Sequence, residues 1–449
     1  MTLLLTPETA QFRETFGVAH ALMNAPMADI AGPALAAAVS NAGGLGILAA
    51  DFMTPEETAA AVKELRGLTD RPFAVNVRSP ARGAFDEKGA AETEEALEAL
   101  KADLGCAGVR FSLPDFEKQL DVLIALKVPA VSVTFGGLRE VYAEKLTAAG
   151  IRMIAAATTL REVKVMRSAQ AHCIVVQGIE AGGPRLNFEV ADTEAQVGLM
   201  SLIGPAARVS NVPVAASGGI MTGRQAAAAL MLGAGAVQAG TVFLAAPESG
   251  AHPAHKRALQ FASDSTTRLT RVTSGRLTRV IANGLIEAAE EARADRAAYP
   301  AQLSVMRPVE VAARRENRDD LMEFACGQVV APVNALMPLF DTVVLTADWH
   351  PADHASFASE HPGKAPFETI EMPYGTQVLW PQHCVAESEG ADFAAGLKTA
   401  LADAVIRKGR EKDCDSYSGF LAADRKTVTG LAGYLRERCV TDVFVCGLA

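Results

Sequence analysis

The sequence predicts an α/β protein in two parts: a TIM (β/α)8 barrel with an appended helical segment over residues 1–328, and a partial αβα sandwich over residues 329–449. Up to about residue 243, eight short β-branched runs alternate with helical patterns, and eight parallel strands are the number that closes a barrel. The 449 residues, 49% of them apolar, exceed one ordinary domain and supply core for two. Near residue 328 the pattern changes without a spacer rich in Pro, Ser or Gly.

Eight strands are predicted for the barrel. The predicted barrel strands are 19–23, 46–49, 73–77, 130–134, 153–157, 173–177, 212–216 and 236–239. Most of them end in a polar residue or a glycine turn, which favours a functional face at the C-terminal ends of the strands. Residues 252–328 are predicted to be helical, with a loop at 274–276. In the second part, the pattern predicts strands 343–346, 404–406 and 443–445 and helices 391–404 and 427–438.

Charge and cysteine usage limit the classes of partner and the compartment that we expect for this protein. The net charge is −10, the isoelectric point is near 5.4, and no Lys/Arg-rich run occurs, which argues against nucleic acid or an acidic membrane as a partner. The seven cysteines form no Cys-x-x-Cys pair, as expected in a reducing compartment. Without a signal-like start or a long apolar run, we expect a soluble cytoplasmic protein that acts on a small molecule. A homo-oligomer is left open.

A glycine turn between two apolar strands predicts a phosphate site. Ser217-Gly218-Gly219 follows one strand and precedes a helix near Thr222, and Gly240-Thr241 ends the next strand. Backbone N–H groups and a helix N-terminus together bind phosphate, and glycine lets the backbone approach closely. A phosphate-bearing cofactor is favoured over a purely structural turn, which stays open as the alternative.

Residues 1–328 resemble the flavin-dependent nitronate monooxygenases, also called 2-nitropropane dioxygenase-like proteins. The matching motifs, in order, are residues 24–27 with 36–46, then 133–136, 177–183, 216–220 and 238–241. The resemblance implies an FMN-binding TIM barrel that oxidises alkyl nitronates with O₂ and needs no metal. It also implies that the flavin ring and ribityl chain are held by Asn24, Ala25, Pro26, Met27, Asn76 and Gln177, and the phosphate end by Gly182, Gly183, Ser217, Gly218, Gly219, Gly240 and Thr241.

One position departs from that family. The family has a catalytic histidine in a Gly-Gly-His-Arg pattern, whereas this chain has Pro184 before Arg185. Proline offers neither a base nor an N–H donor, so we expect impaired turnover of neutral nitroalkanes, with Arg185 as the remaining cationic neighbour of a nitronate. His172 is no substitute, because five residues of strand separate it from Gln177 by about 16 Å. His20 has the same problem on the first strand.

The second part carries metal-type ligands. Asp348 and His350 are two residues apart on an extended segment, so both side chains project to one side, and His354 and His383 follow. Four of the chain's eight histidines lie between residues 350 and 383. A divalent metal site is favoured over a solvated histidine-rich loop, which stays open.

Residues 329–449 resemble the nicotinamidases of the isochorismatase-like hydrolase family, through segments 348–357, 374–384, 407–409 and 415–420. The resemblance implies a partial isochorismatase-like sandwich in which Asp348, His350, His354 and His383 bind Zn²⁺, Fe²⁺ or Mn²⁺. It further implies that Trp380 and Tyr417 line the substrate pocket, and that Lys408 belongs to an Asp-Lys-Cys triad. The aspartate and cysteine contexts of that triad are absent from the 449 residues, so we expect this part to hydrolyse nothing.

Three interpretations remain at this point. The first is an FMN-dependent nitronate oxidase carrying an inactive nicotinamidase-like part. The second is a nicotinamidase encoded by a truncated or fused gene. The third is a flavin- and metal-binding protein without turnover. An enoyl reductase-like substrate in place of the nitronate is also left open.

Overall fold

The computed structural model describes residues 6–81, 83–136, 139–262, 265–328, 341–393, 397–441 and 443. The chain divides into two compact units, Met1–Val330 and Ala331–Ala449. Within the described ranges, no helix combines the length and apolar character needed to cross a membrane.

The first unit is built on parallel strands separated by helices. Its strands are β1 (Leu22–Asn24), β2 (Gly46–Ala49), β3 (Phe73–Arg78), β4 (Ala130–Thr134), β5 (Arg152–Ala157), β6 (Cys173–Gln177), β7 (Gly183–Pro184), β8 (Val214–Ser217), β9 (Ala236–Ala239), β10 (Thr267–Thr270) and β11 (Thr278–Ile281). Its helices are α1 (Pro7–Phe16), α2 (Pro33–Asn41), α3 (Pro55–Leu68), α4 (Glu87–Ala96), α5 (Glu98–Asp103), α6 (Phe116–Ala125), α7 (Glu140–Ala148), α8 (Leu160–Ser168), α9 (Leu199–Val209), α10 (Gly223–Met231), α11 (Thr241–Leu244), α12 (Pro253–Phe261), α13 (Gly284–Glu291) and α14 (Ala301–Arg315).

Eight of these strands form the predicted barrel. They pair in the order β1-β9-β8-β6-β5-β4-β3-β2, all in parallel, and a parallel bridge between Met23 and Leu45 links the two ends of the sheet. Strands β2, β4, β6 and β9 have the predicted bounds, and the other four are shifted by one to three residues at their ends. Parallel strands bring all their C-terminal ends to one face, so the polar residues that end the strands meet there.

The interior of the barrel is filled, which leaves only its ends for a ligand. Inward-facing apolar side chains of the strands form one buried cluster, and Phe12 and Phe16 of α1 pack into it. The outer layer forms because each helix buries one stripe. In α3, Thr54 and Glu57 close a capping box, and Ala61, Val62 and Leu65 lie buried at helical spacing.

The appended segment is not all helical, contrary to the prediction. Strands β10 and β11 form an antiparallel hairpin, and β11 also pairs with β7, which places Thr278 opposite Pro184. The two strands are rich in Thr, Val and Ile and flank the Ser274-Gly275 turn, where Gly275 has φ +78°. A tertiary partner, β7, stabilises extended backbone that a local helical interpretation overlooked.

The second unit contains a small parallel sheet and a hairpin. Strands β12 (Val344–Asp348) and β15 (Ala404–Lys408) pair in parallel, β13 (Thr369–Met372) and β14 (Gly375–Val378) form an antiparallel hairpin, and α15 (Leu431–Glu437) follows. The predicted strands at 343–346 and 404–406 are therefore present, each extended by two residues at its C-terminal end. They place Asp348 opposite Lys408.

Two predicted helices of the second unit differ from the structure. In place of a helix over 391–404, short 3-10 turns occupy Glu389–Ala391 and Thr399–Leu401, and residues 394–396 lie outside the described part. The helix predicted from 427 begins only at Leu431, because Gly430 has φ +92° and Val428 bridges to Leu421. Of the predicted strand 443–445, residues 444 and 445 lie outside the described residues.

Candidate functional site

A cavity opens at the C-terminal ends of the barrel strands, as the strand-end pattern predicts. Segments that follow β1, β2, β6, β8 and β9 line it, together with the hairpin turn and the helices of the appended segment. Every residue that the resemblance assigns to the cofactor lies on its wall except Asn24 and Asn76. The lining residues among them are Ala25, Pro26, Met27, Gln177, Gly182, Gly183, Ser217, Gly218, Gly219, Gly240 and Thr241.

The glycine turn after β8 has the geometry of an anion cradle. Gly218 has φ +116° and Gly219 has φ +65°, and a Cβ on Gly218 would lie 3.0 Å from the backbone nitrogen of Ala181. The N–H groups of Gly219, Gly240 and Thr241 make no hydrogen bond to any residue that the structure describes. Unpartnered N–H groups around a cavity suit a phosphate, because its oxygens are hydrogen-bond acceptors only. The donor set therefore fits the phosphate end of FMN.

Asn24 and Asn76 hold the barrel together instead of lining the cavity. The Asn24 side chain accepts from the Ile47 N–H at 2.7 Å and donates to the Ile47 carbonyl at 2.8 Å, which ties β1 to β2. Asn76 donates to Asp51 at 2.9 Å and to Thr134 at 3.2 Å, both of which line the cavity. These contacts give Asn24 and Asn76 a structural role within the barrel and not a place on the cavity wall.

Gln177 reaches the cavity wall but uses its amide on the protein. Its Nε2 donates to the Pro184 carbonyl at 3.1 Å, and its Oε1 accepts from Arg185 at 3.0 Å and from the Leu186 N–H at 3.1 Å. The side chain thereby fixes the loop that carries Pro184. Pro184 lies on the cavity wall, at the position where the resemblance implies a histidine.

Arg185 does not lie where the sequence predicts. Its side chain is 1% exposed, is not among the lining residues, and donates to the carbonyls of Gln177, Gly178 and Ala195 at 3.1, 2.6 and 2.5 Å. Burial lowers the pKa of its guanidinium to about 10, against the opposing effect of Glu162 and Glu180. The loop folds back and turns the cation into a structural tie, so the prediction that Arg185 neighbours a nitronate is wrong.

Arg78 provides a cation on the cavity wall instead. Its Nε donates to Asp51 at 2.9 Å, and its guanidinium carbon lies 4.1 Å from the centre of the Phe135 ring. The two terminal nitrogens of Arg78 make no hydrogen bond within the described ranges. Sequence reasoning missed this arginine, because it ends a strand whose polar residue of interest was Asn76.

Sequence reasoning also missed a polar wall contributed by the appended segment. His255 of α12 lines the cavity, bonds through Nε2 to the Ala325 carbonyl at 3.1 Å and stacks on Phe324 with ring centres 5.0 Å apart. Burial, with a smaller effect from Arg314, lowers its pKa to about 4, so the ring is neutral at pH 7. Glu310, Arg314 and Glu323 line the same wall. No motif marks them, since their helix and loop meet the barrel only through tertiary packing.

In the second unit, a buried cluster of side chains can hold a metal ion. One ligand atom each of His350, His354 and Asp415 lies within 4.8 Å of the others. The Nδ1 atoms of the two histidines are engaged, by the Gly409 carbonyl at 2.9 Å and by the Ser356 hydroxyl at 2.7 Å, so each Nε2 is left for a metal. Burial lowers the pKa of both rings, which favours the neutral form that binds metals.

The predicted ligand set is only partly reproduced. His383 lies close, with its ring centre 5.0 Å from that of His350, but it is outside the cluster of three. Asp348 pairs with Lys408 at 2.6 Å and is 3.9 Å from His350 Nε2. Asp415 replaces Asp348 in the cluster, because the segment that carries Asp415 folds back beside the histidines. No spacing in the sequence indicates Asp415 as a ligand.

The residues implied to form a ring pocket do contact one another. Trp380 Nε1 donates to the Tyr417 hydroxyl at 3.0 Å, and the rings of Trp380 and His383 have centres 6.5 Å apart. Lys408 donates to Asp348 and, at 2.9 Å, to the Ser416 carbonyl. A lysine–carboxylate pair and an aromatic pair therefore lie near the histidine cluster.

Comparisons with known proteins agree with both parts. The family model described as nitronate monooxygenase matches residues 10–344. The nitronate monooxygenase of Pseudomonas aeruginosa is 36% identical over 330 residues, which are 72% of this chain and 94% of that protein. The solved structure of a nitroalkane oxidase from Streptomyces ansochromogenes has a TM-score of 0.66 at 35% identity and covers 71% of this chain and 91% of its own.

The second part matches a different protein. The nicotinamidase of Acinetobacter baylyi is 52% identical over 122 residues, which are 27% of this chain. The chain spans 57% of the length of that nicotinamidase. The chain therefore belongs to the nitronate monooxygenase family and carries, in addition, a nicotinamidase-like segment.

Proposed function

We propose that this chain is an FMN-dependent oxidoreductase that oxidises alkyl nitronates with O₂. The observation that carries the proposal is the glycine cradle at the ends of β8 and β9, whose N–H groups have no hydrogen-bond partner in the described part of the chain, in a chain of this family. When bound, FMN supplies the redox chemistry, taking electrons from the substrate and passing them to O₂. No metal is required in the barrel.

The residues of the chain bind the cofactor and orient the substrate. Gly219, Gly240 and Thr241 offer N–H groups to the phosphate, while the segment from Ala25 to Met27 lies along the cavity wall for the rest of the cofactor. Arg78 is paired with Asp51, but its two terminal nitrogens have no hydrogen-bond partner among the described residues and can donate to an anionic nitronate. Hydrogen bonds from a cation to an anion are stronger than those to a neutral group, which favours a nitronate over a neutral nitroalkane.

Position 184 sets the substrate preference. A neutral nitroalkane must lose its α-proton before oxidation, and Pro184 has no group that accepts one. A nitronate has already lost that proton. We therefore propose that nitronates are the better substrates and that nitroalkanes are turned over weakly.

The purified protein is expected to bind FMN and to consume O₂ when propionate 3-nitronate is added. Visible absorbance after reconstitution reports the cofactor, and an oxygen electrode reports turnover. Omitting the nitronate gives the control. A protein that stays colourless with excess FMN contradicts the cofactor assignment, while a yellow protein without oxygen uptake favours the non-catalytic interpretation.

Divalent-metal binding by the nicotinamidase-like segment is the second candidate function, supported by the cluster of His350, His354 and Asp415. We propose that this segment binds a divalent ion without hydrolysing nicotinamide. Amide hydrolysis by this route needs, besides the metal, a thiolate nucleophile with its activating base. The metal could be Zn²⁺, Fe²⁺ or Mn²⁺, since imidazole and carboxylate ligands suit all three.

The chain is expected to take up about one Zn²⁺ that a His354→Ala variant loses, because the imidazole Nε2 atoms supply the cluster's nitrogen ligands. Metal analysis after dialysis measures this, and His361→Ala, which changes a histidine outside the cluster, is the matched control. Incubation of the Zn²⁺-loaded chain with nicotinamide is expected to release no ammonia. Release at an ordinary enzymatic rate would show that nicotinamidase is the working activity.

A further inference from the structure

One carboxylate on the cavity wall, Glu323, differs from the others because it has no cationic partner among the described residues. Of the carboxylates that line the cavity in the described part of the chain, Asp29, Asp51 and Glu310 each lie within 2.9 Å of an arginine nitrogen. Glu323 lies on the same wall and forms no ion pair with a described residue. The Thr273 hydroxyl lies nearby and favours the ionised form.

The charges around Glu323 are already balanced without it. On α14, Arg307 contacts Asp29 at 2.6 Å and Glu310 at 2.9 Å, and Arg314 contacts Glu310 at 2.9 Å. Two arginines therefore face two carboxylates. Ionising Glu323 adds a negative charge that no further cation in this group offsets, and such a charge is costly away from water.

The protonation states of the side chains on the cavity wall follow from this balance of charges. Burial, reinforced by the charge of Glu310, raises the pKa of Glu323 to about 7. Burial would also raise the pKa of Glu310, but Arg307 and Arg314 outweigh it and lower that pKa. His255, which faces the cavity from α12, is neutral at pH 7 because burial lowers its pKa to about 4. Of these groups, Glu323 is the one that exchanges a proton near neutral pH.

We infer that Glu323 is the proton-transfer group of this cavity and carries the residual turnover of neutral nitroalkanes, in place of an imidazole at position 184. The inference rests on the proposed function. In the step itself, the α-C–H bond of the nitroalkane breaks and an O–H bond forms on the Glu323 carboxylate. The electron pair of the C–H bond moves onto the nitro group, which yields the nitronate, and the proton then passes to water at the cavity mouth.

The other titratable groups on the wall fit this role less well. Burial raises the pKa of Asp51 as well, but Arg78 and Asn76 oppose this shift and occupy its two oxygens. Glu310 has two arginines that hold it ionised and occupied. His255 uses Nε2 on the Ala325 carbonyl, and its Nδ1 is buried with no partner among the described residues. Protonating that ring would place a second cation beside Arg314, so it is a poor base.

The test compares Glu323→Gln with Glu316→Gln, which removes an exposed carboxylate at the end of α14. Exchange of the α-hydrogens of nitroethane in D₂O, followed by NMR without O₂ on the flavin-free and the FMN-loaded protein, needs no oxidant. The wild-type protein and Glu316→Gln are expected to catalyse this exchange above the buffer rate, with a loss of about tenfold or more in Glu323→Gln.

Steady-state kinetics give the second arm. In Glu323→Gln, kcat/KM for nitroethane is expected to fall by about tenfold or more, while the value for its nitronate changes little, since the nitronate has no proton to give up. The wild-type profile for nitroethane should rise with pH through about 7 and lose that limb in the variant. Equal losses for both substrates would indicate a merely structural role and would overturn the inference.

A stability measurement reports on Glu323 without cofactor or substrate. Its pKa is raised in the folded state from an ordinary value of 4.5 to about 7, so the folded chain holds a proton that the unfolded chain has lost. Stability is therefore lost as pH rises between these values and stays lower above them. Glu323→Gln is expected to gain thermal stability relative to wild type at pH 8 more than at pH 4.

The outcomes separate the two proposals. If the wild-type protein exchanges nitroethane hydrogens through Glu323 but oxidises no nitronate, the proposed function fails and the proton-transfer role stands. If nitronate is oxidised and Glu323→Gln leaves nitroethane exchange and turnover unchanged, the role of Glu323 is rejected and the proposed function stands.

Discussion

Replacing Pro184 by histidine is expected to raise the turnover of neutral nitroalkanes by about 10²-fold, the lower end of what a well-placed general base contributes. Position 184 lies on the cavity wall, and its backbone is held by Gln177 and by pairing with Thr278. An imidazole there would face the cavity, and the exchange also restores a backbone N–H that proline lacks. The measurement is kcat/KM for nitroethane and for its nitronate in the FMN-loaded variant.

Pro184→Ala is the control for this experiment, since it restores the N–H without a base. The histidine should raise kcat/KM less for the nitronate than for nitroethane, because the nitronate has already lost the proton. With both bases present, removing the Glu323 carboxylate should matter less than it does in the wild-type background. An FMN-saturated Pro184→His variant with unchanged nitroalkane turnover would show that position 184 does not limit this chain.

Replacing Gly218 by alanine is expected to weaken FMN binding by about tenfold or more. Gly218 has φ +116°, which side-chain-bearing residues rarely adopt, and the new Cβ would lie 3.0 Å from the backbone nitrogen of Ala181. Strain of this kind costs about 1–3 kcal/mol, or roughly 5- to 150-fold in an equilibrium constant. Relief of the strain moves the turn that carries the Gly219 N–H. Fluorescence titration of the flavin-free protein with FMN measures the loss.

Gly223→Ala is the matched control for this second experiment. Gly223 begins α10, five residues further on, and a Cβ there meets nothing within 4 Å. Alanine also favours the helix. Unaltered FMN affinity in Gly218→Ala, with the same affinity in Gly223→Ala, would mean that the turn after β8 does not hold the cofactor.

The barrel could be predicted because its signals are local. Each strand is marked by a short apolar run, and each glycine turn follows its strand directly. The sequence therefore places Ser217 to Gly219 and Gly240 on the face formed by the C-terminal ends of the strands. The hairpin of β10 and β11 was missed, because its extended backbone is stabilised by pairing with β7, about 90 residues earlier in the chain.

The chemistry of the site depended on packing. Arg185 follows the motif directly, yet its guanidinium turns inward to carbonyls, whereas Arg78 lines the cavity from another strand. In the second unit, Asp415 joins His350 and His354 across some 60 residues, while the predicted ligand Asp348 pairs with Lys408. Sequence spacing says which residues share a segment, but a side chain's partner is set by what the fold brings beside it.

By itself, the sequence determined the barrel, the position of its glycine cradle, the family motifs and the presence of Pro184 where the resemblance implies a histidine. Tertiary structure alone decided which charges on the cavity wall are balanced. The helix that carries Arg307, Glu310 and Arg314 and the loop that carries Glu323 share a buried hydrophobic cluster of the appended segment and line the cavity together. The reason is physical: an arginine neutralises only the carboxylate that the fold places within a few ångströms of it, and a carboxylate that is shielded from water without such a partner keeps its proton to a higher pH.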